Sequence, residues 1–540
     1  MRHPATVVLG LALVVAVAYG GAVRDGFLYD DFQLVVDNPA VQRHDWGMIW
    51  TSAAAEGADA SGRNRPVTLS TYAIDHLVGG GRAAVYHATQ VAWHGLVVIL
   101  VYLVGRALWR RPAPAIAAAL LVALHPVQPE AVHYLSARAS ILSTLGMLVA
   151  LWAYLARQRS SVTLDAARDG AGPGRRAWLG LGVAAFAAAC LSKESAVVLV
   201  VWLAAYEAMV ARATAREAIV RLAPYAAVAV AGVVWQHLAA PGVWGDGASV
   251  SRATGVATGA VVVARHVAAW VVPIGIEPVS PQPWTAWTGS AVLPAAGWLV
   301  GAAACLIWWW RRAPLAAWGG VCGLTALLPV MVLPFMTNVA LFQPHRGYPA
   351  SVGFALATVE LARALAVRVS SRLSPGLAPR VPAAGLMAGV VLLVGAIGFD
   401  ARQGLAWRDE VQFWSEAAAR HPREAAYTHS LGAARLRAND APGAIEAFST
   451  ALGLDPTLPR AQYNLGLTYT TMGRLDEARD AYERAIERDP SDVKALANLG
   501  LLYERRGEPE RARRAYQAAV RVAPGLDRIR ERIERLEGGR

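Results

Sequence analysis

Two acids stand side by side just after the first apolar run, in Tyr29-Asp30-Asp31-Phe32, and Asp37-Asn38-Pro39 follows in the same loop. Adjacent carboxylates at a membrane surface can act as a general base, as metal ligands, or as both. They can equally cap a helix or begin a solvated loop. Cations and further acids recur at the ends of later apolar runs, in Asn64-Arg65-Pro66, then His125-Pro126-Val127-Gln128-Pro129-Glu130 with His133 and Arg138, then Ser192-Lys193-Glu194 and His345-Arg346-Gly347-Tyr348-Pro349. Charge at membrane depth is costly and needs a reason. Arg makes paired bonds to phosphate oxygens, so cations beside a membrane suit a lipid phosphate or pyrophosphate headgroup. Interfacial anchoring and ion pairing at helix ends, as between Lys193 and Glu194, is the plainer reading. His87 and His94 lie inside an apolar run, where hydrogen bonds between helices account for them.

The elements that carry these groups are membrane helices. The chain has 540 residues, 55% hydrophobic and 17% charged, which is too apolar for a soluble protein of this length. Runs long enough for spans lie near 5–23, 85–107, 113–126, 139–156, 177–191, 195–211, 221–240, 289–310, 314–336, 349–367 and 381–398. The first is read as an uncleaved helix, since no small-x-small cleavage site closes it. The net charge of +12 reflects Arg in short loops and argues for topology, not nucleic acid. Five such loops, Arg106/Arg110/Arg111, Arg157/Arg159/Arg175/Arg176, Arg212/Arg216/Arg221, Arg311/Arg312 and Arg368/Arg372/Arg380, can all be cytoplasmic only if the stretch 256–276, with Arg265 and His266 in its middle, does not cross. The expectation is eleven crossings, one interfacial segment, a cytoplasmic N-terminus, and a non-cytoplasmic face shared by loop 24–84 and the C-terminal repeats. Cys190, Cys305 and Cys322 lie within apolar runs and read as small core residues.

From Ala425 onward one pattern recurs three times in steps of 34: Leu431-Gly432, Leu465-Gly466 and Leu499-Gly500 are followed by Ala444, Phe448, Ala451 and Pro456, then Ala478, Tyr482, Ala485 and Pro490, then Ala512, Tyr516, Ala519 and Pro524. This is the tetratricopeptide (TPR) length. The organisation expected is all-α, with a polytopic helical domain over 1–398, a linker and half-repeat helix over 399–424 (Trp414, Ala417, Pro422), three TPR repeats over 425–526, and a capping helix and tail over 527–540. Ser430, Asn464 and Asn498 repeat one position of the first helices, with His429 and Tyr463 beside them. Asn there can bond a peptide backbone, or simply brace neighbouring helices.

The loop motifs in this order resemble the transmembrane-and-TPR-containing O-mannosyltransferase family and its bacterial relatives. The stretches that carry the resemblance are Tyr29-Asp30-Asp31 with Asn38, Arg65-Pro66-Val67-Thr68, Tyr86-His87 with His94, Leu124-His125-Pro126 with Glu130 and Arg138, Lys193-Glu194, and His345-Arg346 with Tyr348 and Ser351-Val352-Gly353-Phe354. It implies the GT-C superfold of membrane glycosyltransferases, a sugar donor on a polyprenyl-phosphate carrier, and chemistry on the non-cytoplasmic face. One of Asp30 and Asp31 would then deprotonate an acceptor hydroxyl. Arg65, Arg138, Lys193, His345 and Arg346 would bind the donor phosphate, supported by His125, Glu130, Glu194 and Tyr348. His429, Tyr463, Asn464 and Asn498 would meet an acceptor or partner protein. A metal requirement stays open. Departures from the family pattern are Ser140 where an acid often stands, Pro344 where a Glu often precedes His345, and Pro349 one place early.

A membrane glycosyltransferase whose repeats recruit acceptor or partner is the expected function, the acceptor being a protein Ser/Thr hydroxyl or an envelope glycan. The alternative is a non-catalytic membrane scaffold for the repeats. A polysaccharide ligase is disfavoured because no large later loop carries Arg and His, and a transporter because the polar groups gather at one face. High Ala, Arg and Gly content points to a high-GC bacterium and its inner membrane.

Overall fold

The computed structural model describes residues 4–51, 65–159, 173–239, 251–273, 276–277, 280–281, 289–332, 341–370, 395, 398–399, 402, 404–458 and 460–538. Asn64, Arg372, Arg380 and most of the expected run 381–398 lie outside them. The chain divides into two compact units, Met1–Arg408 and Asp409–Arg540.

The first unit is a helical bundle: α1 (Pro4–Tyr19), α2 (Pro66–Gly79), α3 (Ala83–Trp109), α4 (Pro112–Leu124), α5 (Pro129–His133), α6 (Arg138–Arg159), α7 (Pro173–Ser192), α8 (Leu199–Tyr206), α9 (Ala215–Ala239), α10 (Arg252–Val271), α11 (Val292–Arg312), α12 (Pro314–Ala326) and α13 (Tyr348–Ser370). Among the described residues, nine helical segments are long and apolar enough to cross a membrane, and the protein is an integral membrane protein. A two-residue antiparallel pairing joins Ser280–Pro281 to Leu341–Phe342.

Small residues set the close approaches between neighbouring helices. A Cβ on Gly105 would meet Ala115, which packs α3 on α4 across the turn at Arg110. Gly146 faces Ala185 and Ala189, so α6 and α7 run antiparallel, and Gly319 faces Gly353 and Ala357, so α12 and α13 do as well. These pairings sort the helix ends. Arg106, Arg157, Arg159, Arg311, Arg312 and Arg368 close the last turns of α3, α6, α11 and α13, while the opposite ends of α3, α6, α7 and α13 carry the motif residues.

Helix α10, which covers most of the stretch 256–276, is long enough to span by composition alone. Its contacts run along the motif ends of other helices. Gly259 lies against Met331 just past α12, Val261 and Ala264 pack on Ala295 in the first turn of α11, His266 Nε2 bonds the Gln343 carbonyl at 3.2 Å, and Trp270 stacks on His125 at the end of α4.

The second unit stacks α14 (Glu410–Arg420), α15 (Ala425–Arg437), α16 (Ala441–Leu454), α17 (Ala461–Thr471), α18 (Leu475–Arg488), α19 (Val493–Arg505), α20 (Pro509–Val522) and α21 (Asp527–Gly538). The 34-residue period has a backbone counterpart: Asn439, Gly473 and Gly507 all take positive φ, of 61°, 73° and 73°. Left-handed backbone there reverses the chain between paired helices, and Gly and Asn adopt it at least cost. A Cβ at Gly432, Gly466 or Gly500 would meet the ring of Phe448, Tyr482 or Tyr516 at 2.5–2.7 Å. Those aromatics therefore lie directly on the first helix of each pair, and the buried faces of α16, α18 and α20 repeat Ala, Ala, aromatic, Ala.

Candidate active site

The acidic pair lies in a turn that sends its two side chains to different places. Tyr29 has φ 47°, a left-handed conformation that is strained for a side chain of its size. Asp31 turns inward and is 1% exposed. Its Oδ2 accepts the Leu28 N–H at 3.1 Å, and its Oδ1 accepts both the Ser136 N–H at 2.9 Å and the Ser136 hydroxyl at 2.8 Å. Burial pushes this carboxyl up to about 7, the three donors oppose the rise, and the charge on Asp30 adds to it. Asp30 remains partly exposed. Its Oδ2 accepts the Tyr134 hydroxyl at 2.8 Å. Burial first, then the charges of Asp30 and Asp31, raises the Tyr134 phenol well above its ordinary value, so it stays protonated as a donor. Asp31 is thus a fastener between the first loop and the start of α6, and Asp30 is the more exposed carboxylate of the pair.

The cations gather on adjoining helix ends. Lys193 Nζ donates to Ser140 Oγ at 2.7 Å. Ser140 meets the ammonium with a neutral hydroxyl. Arg65, just before α2, forks onto Glu194 at 3.1–3.3 Å, and Thr68 bonds the Ser192 carbonyl at 3.1 Å. The start of α2 is thereby fixed to the end of α7. Glu130 in α5 receives His345 twice, from its backbone N–H at 3.0 Å and at its ring Nδ1 at 2.8 Å. Burial raises the Glu130 carboxyl well above the usual range, while Arg346 pulls it down. Pro344 occupies the place where a Glu often precedes this His-Arg pair, and Glu130 brings a carboxylate to His345 from α5. Lys193, Arg346 and Arg65 are all near enough to His345 to act on its charge. Lys193, Arg346 and the Arg65–Glu194 ion pair therefore lie around His345, all partly exposed.

Other expected residues have different work. Arg138 was expected to bind phosphate, and the structure corrects this. It is 0% exposed, and its donors go to Gln90 Oε1, Thr71 Oγ1, Asp75 Oδ2, the Tyr86 carbonyl and Thr89 Oγ1, with the Tyr72 ring 4.5 Å from its guanidinium carbon. A guanidinium has five N–H donors, so none is left for a phosphate. Arg138 ties α2, α3 and α6 together. His125 stacks on Trp270 at 3.9 Å and bonds its carbonyl at 3.0 Å, which seats α10. The Tyr348 hydroxyl and His94 Nδ1 bond at 2.7 Å, an interhelical link, and His87 Nε2 bonds the Gly26 carbonyl at 3.2 Å. In the repeats, Asn464 Nδ2 meets His429 Nε2 at 2.9 Å and Asn498 Nδ2 donates to the Tyr463 hydroxyl at 3.0 Å. These four side chains brace neighbouring repeats through one amide N–H of each Asn.

Sequence reasoning passed over Tyr134, Ser136, Asp75 and Gln90. Tyr134 lies between the quoted His133 and Arg138, but its partner Asp30 is 104 residues away. Among the described residues, no group of three or more His, Cys, Asp or Glu side chains is placed to hold a metal ion.

Family models for tetratricopeptide repeats match residues 463–527 and 432–473. The human protein O-mannosyl-transferase TMTC1 is 29% identical over 159 residues, which is 28% of this chain and 18% of that protein. Mouse TMTC3 is 30% identical over 151 residues, covering 26% and 16% of the two chains, and Drosophila melanogaster Tmtc2 is 28% identical over 202, covering 36% and 20%. The aligned part is a fifth or less of each of these relatives. The Archaeoglobus fulgidus oligosaccharyltransferase tethered to an acceptor peptide matches in structure with a TM-score of 0.44 and 13% identity, over 74% of this chain and 55% of that one. ArnT from Cupriavidus metallidurans, bound to undecaprenyl phosphate, gives 0.39 and 15%, over 89% and 80%. Both scores are below the level at which a likeness speaks for a shared fold. The chain is a homologue of the protein O-mannosyl-transferases of the transmembrane and tetratricopeptide-repeat family, related to them by sequence over about a quarter to a third of its length and carrying TPR repeats of its own over residues 432–527.

Proposed function

We propose that this protein is a membrane glycosyltransferase that moves a sugar, with mannose the first to test, from a polyprenyl-phosphate carrier to an acceptor hydroxyl. The carrying observation is the partly exposed Asp30, held by Tyr134 at 2.8 Å, with Lys193, Arg346 and the Arg65–Glu194 ion pair around His345. Asp30 takes the proton of the acceptor hydroxyl. The acceptor oxygen bonds the anomeric carbon as the bond from that carbon to the phosphate oxygen breaks. The lipid phosphate leaves with both electrons of that bond, and its growing negative charge falls on the cations. The products are a glycoside, the lipid phosphate and a protonated Asp30. Tyr134 donates to Asp30 Oδ2 and so orients the carboxylate. His345, buttressed by Glu130, orients Arg346 beside it in sequence.

The site end is read as non-cytoplasmic because basic residues close the opposite helix ends, as retention of Arg in the cytoplasm requires. Helix α10, in touch with site-end elements along its length, is read as lying at that face. The repeats are read as the protein-binding part, recruiting acceptor or partner. The domain boundaries at 398 and 424, and the fastening of the repeats to the non-cytoplasmic side, belong to the same proposal. Comparing glycans and glycoproteins of the envelope between a deletion strain and an Asp30→Asn strain by mass spectrometry tests it. The same sugar modification should vanish in both. A profile lost only in the deletion would favour a scaffold.

A further inference from the structure

The segment that leads out of the bundle into the repeats is fitted against the acid side of the site. Trp407 is 2% exposed, and its ring stacks on Tyr134 with centroids 5.8 Å apart and planes 29° apart. That Tyr134 is the residue whose hydroxyl holds Asp30. Its other neighbour is His345, edge-on at 5.7 Å, so the phenol ring is pinned from the donor side and from the connector. Three residues earlier, Gly404 leaves no room for a side chain, since a Cβ there would lie 2.5 Å from the His133 ring. His133 is itself locked to Asp25 at 2.6 Å, and the Arg408 charge acts on Asp25. Residues 404–408 thus lie against His133 and Tyr134, with the Arg408 charge acting on Asp25. Asp409, the next residue, caps α14 through the Gln412 N–H at 2.8 Å.

From this geometry we propose that Trp407 is a positioning residue for Asp30: it clamps Tyr134 in the one orientation that hydrogen-bonds the base, so that the connector to the repeats completes the acceptor-activating site. This rests on the glycosyl-transfer reading above. Stacked aromatic pairs restrict ring tilt as well as burying area, and Tyr134 swings its hydroxyl away from Asp30 if the ring tilts. The contact also makes the base sensitive to the path of the chain three residues before the first helix of the repeat unit.

The test uses the full chain in native membranes, supplied with polyprenyl-phosphate mannose labelled in the sugar, and follows label entering protein and glycan. Trp407→Ala and Tyr134→Phe should each lower transfer roughly tenfold, the loss of about one hydrogen bond to a charged group. The double variant should be no worse than either single one, because both act through the same bond. Trp407→Phe should restore most of the rate, and Trp407→Leu, which is apolar but lacks an aromatic face, should not. The acid limb of the pH profile should shift in Trp407→Ala and in Tyr134→Phe alike. Trp407→Leu serves as the primary variant if Trp407→Ala does not accumulate. Additive losses, or full transfer by Trp407→Leu while Asp30→Asn is inactive, would overturn the positioning role and leave the base assignment standing. Full transfer by Asp30→Asn would remove the base assignment and this proposal together.

Discussion

Changing each of the two adjacent acids to Asn should give opposite phenotypes. Asp31 uses both oxygens on three buried donors. In Asp31→Asn one oxygen becomes an NH2 group. If that group faces Leu28, the Leu28 N–H loses its acceptor; if the amide flips, Ser136 loses two. At least one buried N–H is orphaned either way, at a cost of about 1–3 kcal/mol. Asp30 is partly exposed and its bond from Tyr134 survives as a bond to the amide oxygen, so Asp30→Asn should change stability by no more than about 0.5 kcal/mol. Transfer should instead fall by roughly 10²–10⁴, the usual worth of a general base. Acidity adds a second handle on Asp31. Its folded carboxyl titrates near 7 and an unfolded one near 3.9. The folded pKa is the raised one, so the group's contribution to stability is full below about pH 4 and is lost as pH rises through about 7. The stability gap between wild type and Asp31→Asn should therefore narrow as pH rises from about 5 toward 7 and then level off. Thermal unfolding of detergent-purified protein by tryptophan fluorescence at several pH values, beside the transfer assay, reads both effects. The reasoning fails if Asp31→Asn is as stable as wild type at every pH but inactive, with Asp30→Asn active.

Lys193→Ala should raise the donor KM and lower kcat together, for a combined loss on the order of 10²-fold, with partial recovery in Lys193→Arg; an unchanged kcat/KM would remove Lys193 from the leaving-group site. Arg138→Ala leaves the Asp75 carboxylate buried without its cation, at a cost of about 3–5 kcal/mol, so the variant should not accumulate in membranes, while Arg138→Met combined with Asp75→Leu should recover folded protein in size-exclusion profiles. Gly466→Ala drives a methyl to 2.6 Å from the Tyr482 ring and should destabilise the repeats by about 1–3 kcal/mol. Limited proteolysis of the full chain should then cut first between 425 and 526.

The repeats were readable from sequence because their physics is local and periodic. Gly432, Gly466 and Gly500 must be small since an aromatic sixteen residues on lies against each, and both partners recur in register. Most of the membrane helices were legible too, because an apolar run has few other uses, though the runs 113–126 and 177–191 are not among the nine described helices long and apolar enough to cross. The assignment of work among the site residues was not. Asp30 and Asp31 are neighbours of one type, and only Ser136 and Tyr134, more than a hundred residues away, divide them. Arg138 shares its residue type and its helix-end position with a phosphate-binding Arg, yet Asp75, Thr89 and Gln90 enclose it from other helices. Glu130 and His345 meet across 215 residues. Asn464 and Asn498 recur at one helix position, and only the structure shows that each also bonds a side chain of the preceding repeat, His429 or Tyr463.

The central claim is that Asp30 activates an acceptor for attack on a lipid-phosphate sugar. Purified wild type and Asp30→Asn, each given labelled polyprenyl-phosphate mannose and solubilised membrane proteins from a deletion strain, test it most directly. The account predicts labelled protein or glycan and released polyprenyl phosphate in equal amounts from wild type, and a loss of at least a hundredfold in Asp30→Asn with the protein still folded. Equal transfer by the two proteins, or none by wild type with any polyprenyl-phosphate sugar, would contradict it.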